Sequence, residues 1–431
     1  MHTRRDFLRA SLAAAPLTAL MSSEVRAAVE KVGPLKIAKI ETLVLRDPPE
    51  RDKPESDFIS MPPTGKLTDR PGLSQRIERA ETVRQGGYRQ TLLVKITTDQ
   101  GIVGWGESHA VMTPRVVKAV LTDMFTPILL GEDARNPEVL WEKMYSTQRL
   151  RGYGTGYFTR AAAGVDIALW DILGKASGLS VSRLLGGQFR DRIPTYNGVG
   201  GRTIPELREN AQKLIDLGYT VMKMGLSKGG TYTSDFNRVV AVSEVIGDKG
   251  QVLIDSLGAY KLHEATTLGR EIDALGNVGW WEDVLMPEDV DGYARLADAI
   301  DTPVCAGEQY SNQFQFRDLF LKRAVDIINP DLARVGITVA KRIASMADIH
   351  NVLLSPHCSM GSAPYRASSI HICACSANAA ILEGGESYKR SFGNALLSNP
   401  LGYHGGWVEV PQGPGLGFEF DETELSKLVV G

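Results

Sequence analysis

The chain has 431 residues, 43% hydrophobic and 23% charged, with a formal net charge of −3. That length exceeds one ordinary small domain and admits two or three units, or one large α/β barrel with an added domain. The near balance of charge and the lack of any Lys/Arg block exclude a basic field for nucleic acid, and no apolar run after the N-terminus is long enough to span a bilayer.

The first 27 residues read as a separate object. "TRRDFLRA" sets Arg4 and Arg5 before Phe7 and Leu8, "SLAAAPLTALM" supplies a short apolar region, and Val25 and Ala27 give small residues for cleavage. This pattern predicts a twin-arginine signal and a periplasmic protein. Such a signal usually carries folded cargo, often already loaded with a cofactor.

Residues 35–155 predict an α+β capping domain. "KIAKIETLVL" reads as a strand, "QTLLVKITTDQGIVGWGES" as a hairpin turning at "TTDQG", and a helix is predicted from Pro114. Between them the polar stretch 46–87 is far longer than a connection requires, and is expected to act as a lid. "GYGTGY" lacks dinucleotide spacing and reads as a loop; Trp105 and Trp170 read as core.

After Arg160 the rhythm changes. The helix "RAAAGVDIALWDILGKASG" ends at Gly178, and eight short apolar strands then alternate with amphipathic helices: "IPTYNGV", "TVMKMG", "QVLIDS", "VGWWEDV", "TPVCAGE", "VDIINPD", "VLLSPH" and "AAILEGG". The alternation predicts a parallel (β/α)7β barrel, a modified TIM barrel, over 156–398. Residues 399–431 are expected to return to the cap. The four cysteines, Cys305, Cys358, Cys373 and Cys375, have no zinc-ligand spacing and read as small core residues.

The predicted strands end on ionisable residues: Lys223, Asp255, Glu282, Glu308, Asp331, His357 and Glu383. From Asp255 the steps are 27, 26, 23, 26 and 26 residues, each close to one strand-helix unit. One such residue per strand lands on the C-terminal rim, where barrel enzymes keep their chemistry. Three carboxylates on adjacent strands repel one another by roughly 4 kcal/mol per pair at about 4 Å and an effective dielectric near 20. Asp255, Glu282 and Glu308 therefore call for a cation, and an all-oxygen set favours Mg²⁺. A lysine beside a metal can be lowered enough to act as a base. Asp331 beside His357 fixes its tautomer and supports its charged form.

From about Leu35 onward the chain resembles the enolase superfamily, mandelate racemase subgroup. Asp255, Glu282 and Glu308 match that family's three metal ligands, and Lys223 the second lysine of its Lys-x-Lys motif. Asp331 in "NPDLARVG" and His357 in "SPH" match its Asp-His dyad, and Glu383 in "LEGG" its strand-eight acid; "GVDIALWDILGKASGLSVSRLLGG" is also typical. The superfamily is already known for a Lys or His base working with Mg²⁺ to stabilise an enediolate.

The resemblance implies Mg²⁺-dependent removal of the α-proton of a small sugar acid, followed by loss of water. Lys223 or His357 would take the proton, His357 would protonate the departing hydroxyl, and Glu383 would bind the substrate carboxylate in protonated form. It also implies a symmetric homo-oligomer. A racemase or epimerase and a cycloisomerase share the same intermediate, and a non-catalytic exported sugar-acid binder is an alternative of another class. The chain departs from the pattern at Val221, where the first lysine would stand, at Leu257 in place of an Asn, and at Asp283 and Val284 in place of Glu-Pro.

Overall fold

The computed structural model describes residues 23–47, 89–110, 113–226, 232–359, 361–385, 388 and 392–430. The expected lid lies outside them beyond Asp47, as do residues 1–22 of the expected signal. The first described element, α1 (Ser23–Glu30), packs against a long later helix and spans the expected cleavage point after Ala27.

Three antiparallel strands open the fold: β1 (Ile37–Asp47), β2 (Arg89–Thr98) and β3 (Val103–Ser108). The β2–β3 hairpin turns at Asp99–Gly101, with Gly101 at φ +81, a left-handed conformation that glycine adopts without penalty. Then come α2 (Pro114–Val120), opened by Pro114 in its first turn, α3 (Pro137–Arg149) and α4 (Tyr157–Ser177). Helix α4 is buried along most of its length and stops at Gly178, φ +70.

Strand β3 lies directly on α4 because Gly104 and Gly106 of "GWGE" carry no side chain. A Cβ on Gly106 would sit 1.8 Å from the Gly164 carbonyl oxygen. This close approach delivers the end of β3, Glu107 to His109, to the barrel. Trp105 packs edge-on against Phe420 with ring centroids 4.9 Å apart, and Trp170 donates to Thr338 Oγ1 at 2.9 Å, so both tryptophans are core.

The barrel strands are β4 (Arg192–Gly198), β5 (Val221–Gly225), β6 (Gln251–Asp255), β7 (Val278–Glu282), β8 (Val304–Ala306), β9 (Ile327–Ile328), β10 (Leu353–Leu354) and β11 (Leu382–Glu383). They pair in parallel in that order from β4 to β10. The ring closes through the parallel Leu354–Ala379 bridge and the parallel pairing of β11 with β4. The intervening helices that matter for the site are α5 (Leu332–Ile349) and α6 (Ala363–Ala374).

Several strands are shorter than the sequence predicts. Glu308, Asp331 and His357 stand two or three residues beyond their ladders, not at the strand ends. Gly307, at φ +136, breaks the first of these ladders, and Pro330 and Pro356 have no N–H to continue the other two. After β11 the chain forms an unpredicted hairpin, β12 (Tyr403–His404) and β13 (Trp407–Glu409), with β13 antiparallel to β4. It then reaches the first sheet, where Leu45 bridges Val429. All four cysteines are free and buried.

Candidate active site

The parallel register carries the acids to one rim. Asp255 is level with Glu282 across β6 and β7, Lys223 of β5 is two pairs away from Asp255, and Glu383 ends β11 beside Tyr196 of β4. Lys223 Nζ lies 3.0 Å from Glu282 Oε1, 3.4 Å from Glu383 Oε1 and 3.6 Å from Asp255 Oδ2. On the other side, His357 Nε2 is 3.2 Å from Glu308 Oε2 and 3.7 Å from Glu383 Oε2. Glu383 therefore stands between the two proton carriers, one oxygen facing each.

Asp331 caps α5 by accepting the Ala333 N–H at 2.9 Å through Oδ1. Its Oδ2 lies 2.9 Å from His357 Nδ1, so the histidine presents Nε2 to the acids. Tyr365 of α6 fixes the same ring, with Oη 3.1 Å from Nδ1 and donating to the His357 carbonyl at 2.9 Å.

Burial sets the scale of the electrostatics, and neighbours set the sign. Burial disfavours a charged His357, yet Glu308, Glu383 and Asp331 outweigh it and raise the imidazole to about 10. Burial also opposes the Glu383 anion, but Lys223, His357 and the Cys358 N–H hold it at about 2. The protonated Glu383 expected from sequence is thus replaced by a carboxylate bridging two cations. Burial pushes Lys223 down, and Glu282 and Glu383 more than reverse it. The expected lowered lysine is not what this arrangement gives, because Lys223 is itself the counter-ion of three acids.

The acids do repel one another. Burial lifts Glu282 to about 7, with Asp255, Glu308 and Glu383 adding to the rise; Asp255 is raised by burial, Glu308 and Glu383. Asp283, left unassigned by sequence, is a further buried acid at this rim. It adopts φ +46, accepts from Gln309 Nε2 at 3.2 Å, and is driven well up by burial and by Glu308 and Glu282.

Sequence reasoning missed several participants. Asn329 donates to Glu282 Oε1 at 3.0 Å and Trp280 Nε1 to Oε2 at 3.1 Å. His109, from the end of β3, places Nδ1 3.1 Å from the same Asp331 oxygen that serves His357. Glu107 caps α6 from across the domain boundary, accepting from the N–H groups of Ser362 and Tyr365 at 2.9 and 3.3 Å. Asn329, two residues before Asp331, could have been found by strand alternation. His109 and Glu107 lie outside the barrel period, and nothing in their spacing flags them.

Residues 79–186 match the mandelate racemase/muconate lactonizing enzyme N-terminal domain, and 206–424 match the enolase C-terminal domain-like family. The chain belongs to the enolase superfamily, in its mandelate racemase/muconate lactonizing enzyme branch. The superfamily assignment makes it an enzyme, a lyase or isomerase built as a capped barrel.

Among the relatives, the chain is 32% identical over 345 residues to a D-galactonate dehydratase of Verminephrobacter eiseniae, covering 77% of this chain and 89% of that one. It is 32% identical over 352 residues to a D-galactarolactone cycloisomerase of Agrobacterium fabrum, covering 79% and 91%. A 3,6-anhydro-D-galactonate cycloisomerase from Zobellia galactanivorans superposes with TM-score 0.76 at 31% identity, over 92% of this chain and all of that one. An enolase superfamily member from Agrobacterium tumefaciens gives 0.81 at 25% identity with the same coverage.

Superfamily members generally use Mg²⁺. Among the described residues, no three His, Cys, Asp or Glu side chains converge into a formed ion site. Asp255 and Glu282 turn to Lys223, and Glu308 turns to His357. The donor set nonetheless fits a hard divalent ion: three carboxylates at or just beyond the ends of successive barrel strands, two of them pushed up by burial and by their acidic neighbours.

Proposed function

We propose that the chain is a Mg²⁺-dependent acid-sugar dehydratase that removes the α-proton of a hydroxylated carboxylate and eliminates the β-hydroxyl. One observation carries the reading: Glu383 has Lys223 on one oxygen and His357 on the other, so two proton carriers flank one acid cluster. The two relatives that act on galactonate and galactarolactone support the substrate class.

Asp255, Glu282 and Glu308 would hold the ion. When bound, Mg²⁺ neutralises these acids and balances the charge that grows on the substrate carboxylate as the α-proton leaves. Lys223 reaches the cluster through Glu282 and Asp255 and is the base from that side. His357 enters from the Glu308 side, its Nδ1 committed to Asp331, and delivers a proton from Nε2 to the leaving hydroxyl. Anionic Glu383 keeps His357 charged and ready to donate, whereas Lys223 must release its own proton before it can act as the base, a release that neutralising Glu282 and Asp255 would favour. The 46–87 stretch, as a lid, would exclude water from the reaction.

A cycloisomerase is the second reading, favoured by the two relatives of that activity. Incubation of acid sugars and their lactones with the enzyme and Mg²⁺ in D₂O separates the two. Deuterium uptake with loss of water to a keto-deoxy acid supports the dehydratase. Uptake with opening or closing of a ring and no loss of water supports the cycloisomerase, and no uptake with any acid sugar overturns both. We further propose export by the twin-arginine route, on the "TRRDFLRA" motif. Replacing both arginines together, Arg4→Lys with Arg5→Lys, should hold the protein in the cytoplasm, and undiminished recovery from the periplasm would overturn that route.

A further inference from the structure

Among the described residues, two arginines beside the Asp-His dyad lack a hydrogen-bond acceptor for Nε. Arg160 lies in the first turn of α4 and Arg334 in the first turn of α5, the two helices locked together where Asp166 accepts from Thr338 N and Oγ1 at 2.9 and 2.5 Å. The loop before α4 is tied to the rim just after Glu308: Asn312 Nδ2 donates to the Gly154 carbonyl at 2.8 Å, and the Gly156 N–H to Ser311 Oγ at 3.3 Å. The start of α4 thus sits over the barrel mouth.

Among the described residues, both Nε atoms are buried without a hydrogen-bond partner. Arg334 has a side chain only 12% exposed; its Nε comes within 3.4 Å of Asp331 Oδ2, which His357 and His109 already occupy at 2.9 and 3.1 Å. Arg160 stacks its guanidinium over the Tyr157 ring at 5.5 Å, which fixes the group in place. Buried guanidinium groups are ordinarily paired, because desolvating a charge without a partner is costly. Among the described residues no carboxylate lies within ion-pair distance of Arg160, and Arg334 shares Asp331 with His357 and His109, so the two forks keep donors for a further acceptor. A planar fork is the group best shaped to receive a carboxylate through two parallel bonds.

We propose that Arg160 and Arg334 seat a second carboxylate at the far end of the substrate, so that the acid sugar is a diacid, oxidised at both ends, and not a simple aldonic acid. This rests on the proposed function for the reacting end and adds the chemistry of the other. The reactive carboxylate goes to the acid cluster, and the distal carboxylate goes to the arginine pair beside the dyad. Arg160 is the specificity-determining residue, since Arg334 also touches Asp331.

Binding tests this independently of turnover. Galacto-configured aldaric and aldonic acids differ only at C6, carboxylate against hydroxymethyl; their affinities are measured by calorimetry with Mg²⁺ on His357→Asn protein, in which turnover is blocked. A charge-assisted pair predicts that the diacid binds about 10- to 100-fold more tightly. Adding Arg160→Gln should erase that advantage and leave aldonate affinity unchanged, the unchanged value showing that the site is intact. Arg160→Lys, which keeps the charge and loses the fork, should recover part of it. Equal affinities for the two acids, or an advantage that survives Arg160→Gln, overturns the proposal. If the diacid preference depends on Arg160 while no acid exchanges its α-proton in active enzyme, the arginine seat stands and the proposed reaction fails. If the aldonate exchanges as efficiently as the diacid, the reaction stands and the seat is wrong.

Discussion

Asp331 is where two roles meet in one residue. Its Oδ1 caps α5 and its Oδ2 orients His357. Asparagine caps helices about as well as aspartate, so the α5 cap should survive Asp331→Asn, while losing the charge that faces buried Arg334 should lower the melting temperature. It cannot stabilise the charged imidazole, however, and so kcat should fall by roughly 10²- to 10⁴-fold with KM little altered. Steady-state kinetics alongside thermal melts check both halves; an unchanged kcat would remove the dyad from the mechanism. The identities of the seven rim residues were legible in sequence because each barrel unit repeats the same position. Their ionisation was not: Lys223 and Glu383 take their charge from one another across the ring, and no one-dimensional spacing encodes that contact.

At the scale of elements, the joint between cap and barrel rests on small residues and on caps. Gly106→Ala would drive a methyl into the Gly164 carbonyl, and overpacking of this kind costs about 3 kcal/mol. Denaturant titration should show that loss, and activity should fall with it, because β3 also carries Glu107 and His109 to α6 and Asp331. The alternation of strands and helices was readable from apolar periodicity, and so was the stop of α4 at Gly178. The ladders before Gly307, Pro330 and Pro356 end two or three residues short of the rim residues Glu308, Asp331 and His357, because the apolar pattern marks the strand but not the residue at which its backbone stops pairing. The β12–β13 hairpin hid in a Gly/Pro-rich tail whose strands span only two and three residues.

For the whole molecule, the C-terminal return makes stability depend on pH through a residue far from the chemistry. His371 of α6 is fully buried, with Nε2 3.2 Å from the Leu416 carbonyl oxygen and Nδ1 3.1 Å from Ser182 Oγ. Burial holds it at about 4, against 6.5 when exposed. Between those values the unfolded chain binds the proton and the folded one does not, so stability falls as pH drops through this window. The slope is up to about 1.4 kcal/mol per pH unit. Urea midpoints at pH 7 and pH 5 should separate strongly for the native sequence and less for His371→Gln; equal separation would place the slope elsewhere. The barrel and its cap were foreseeable from length and rhythm, whereas this contact joins residues 45 apart that share no pattern.

We propose that the acid cluster is a metal-dependent proton-transfer site. Its most direct test is the rate of α-proton exchange of an acid-sugar substrate in D₂O, followed by proton NMR on metal-stripped protein before and after Mg²⁺ is restored. A metal-dependent site should show no detectable exchange without the metal and full recovery on adding it, a recovery lost in Glu308→Gln. Exchange that proceeds equally in metal-stripped protein would contradict it.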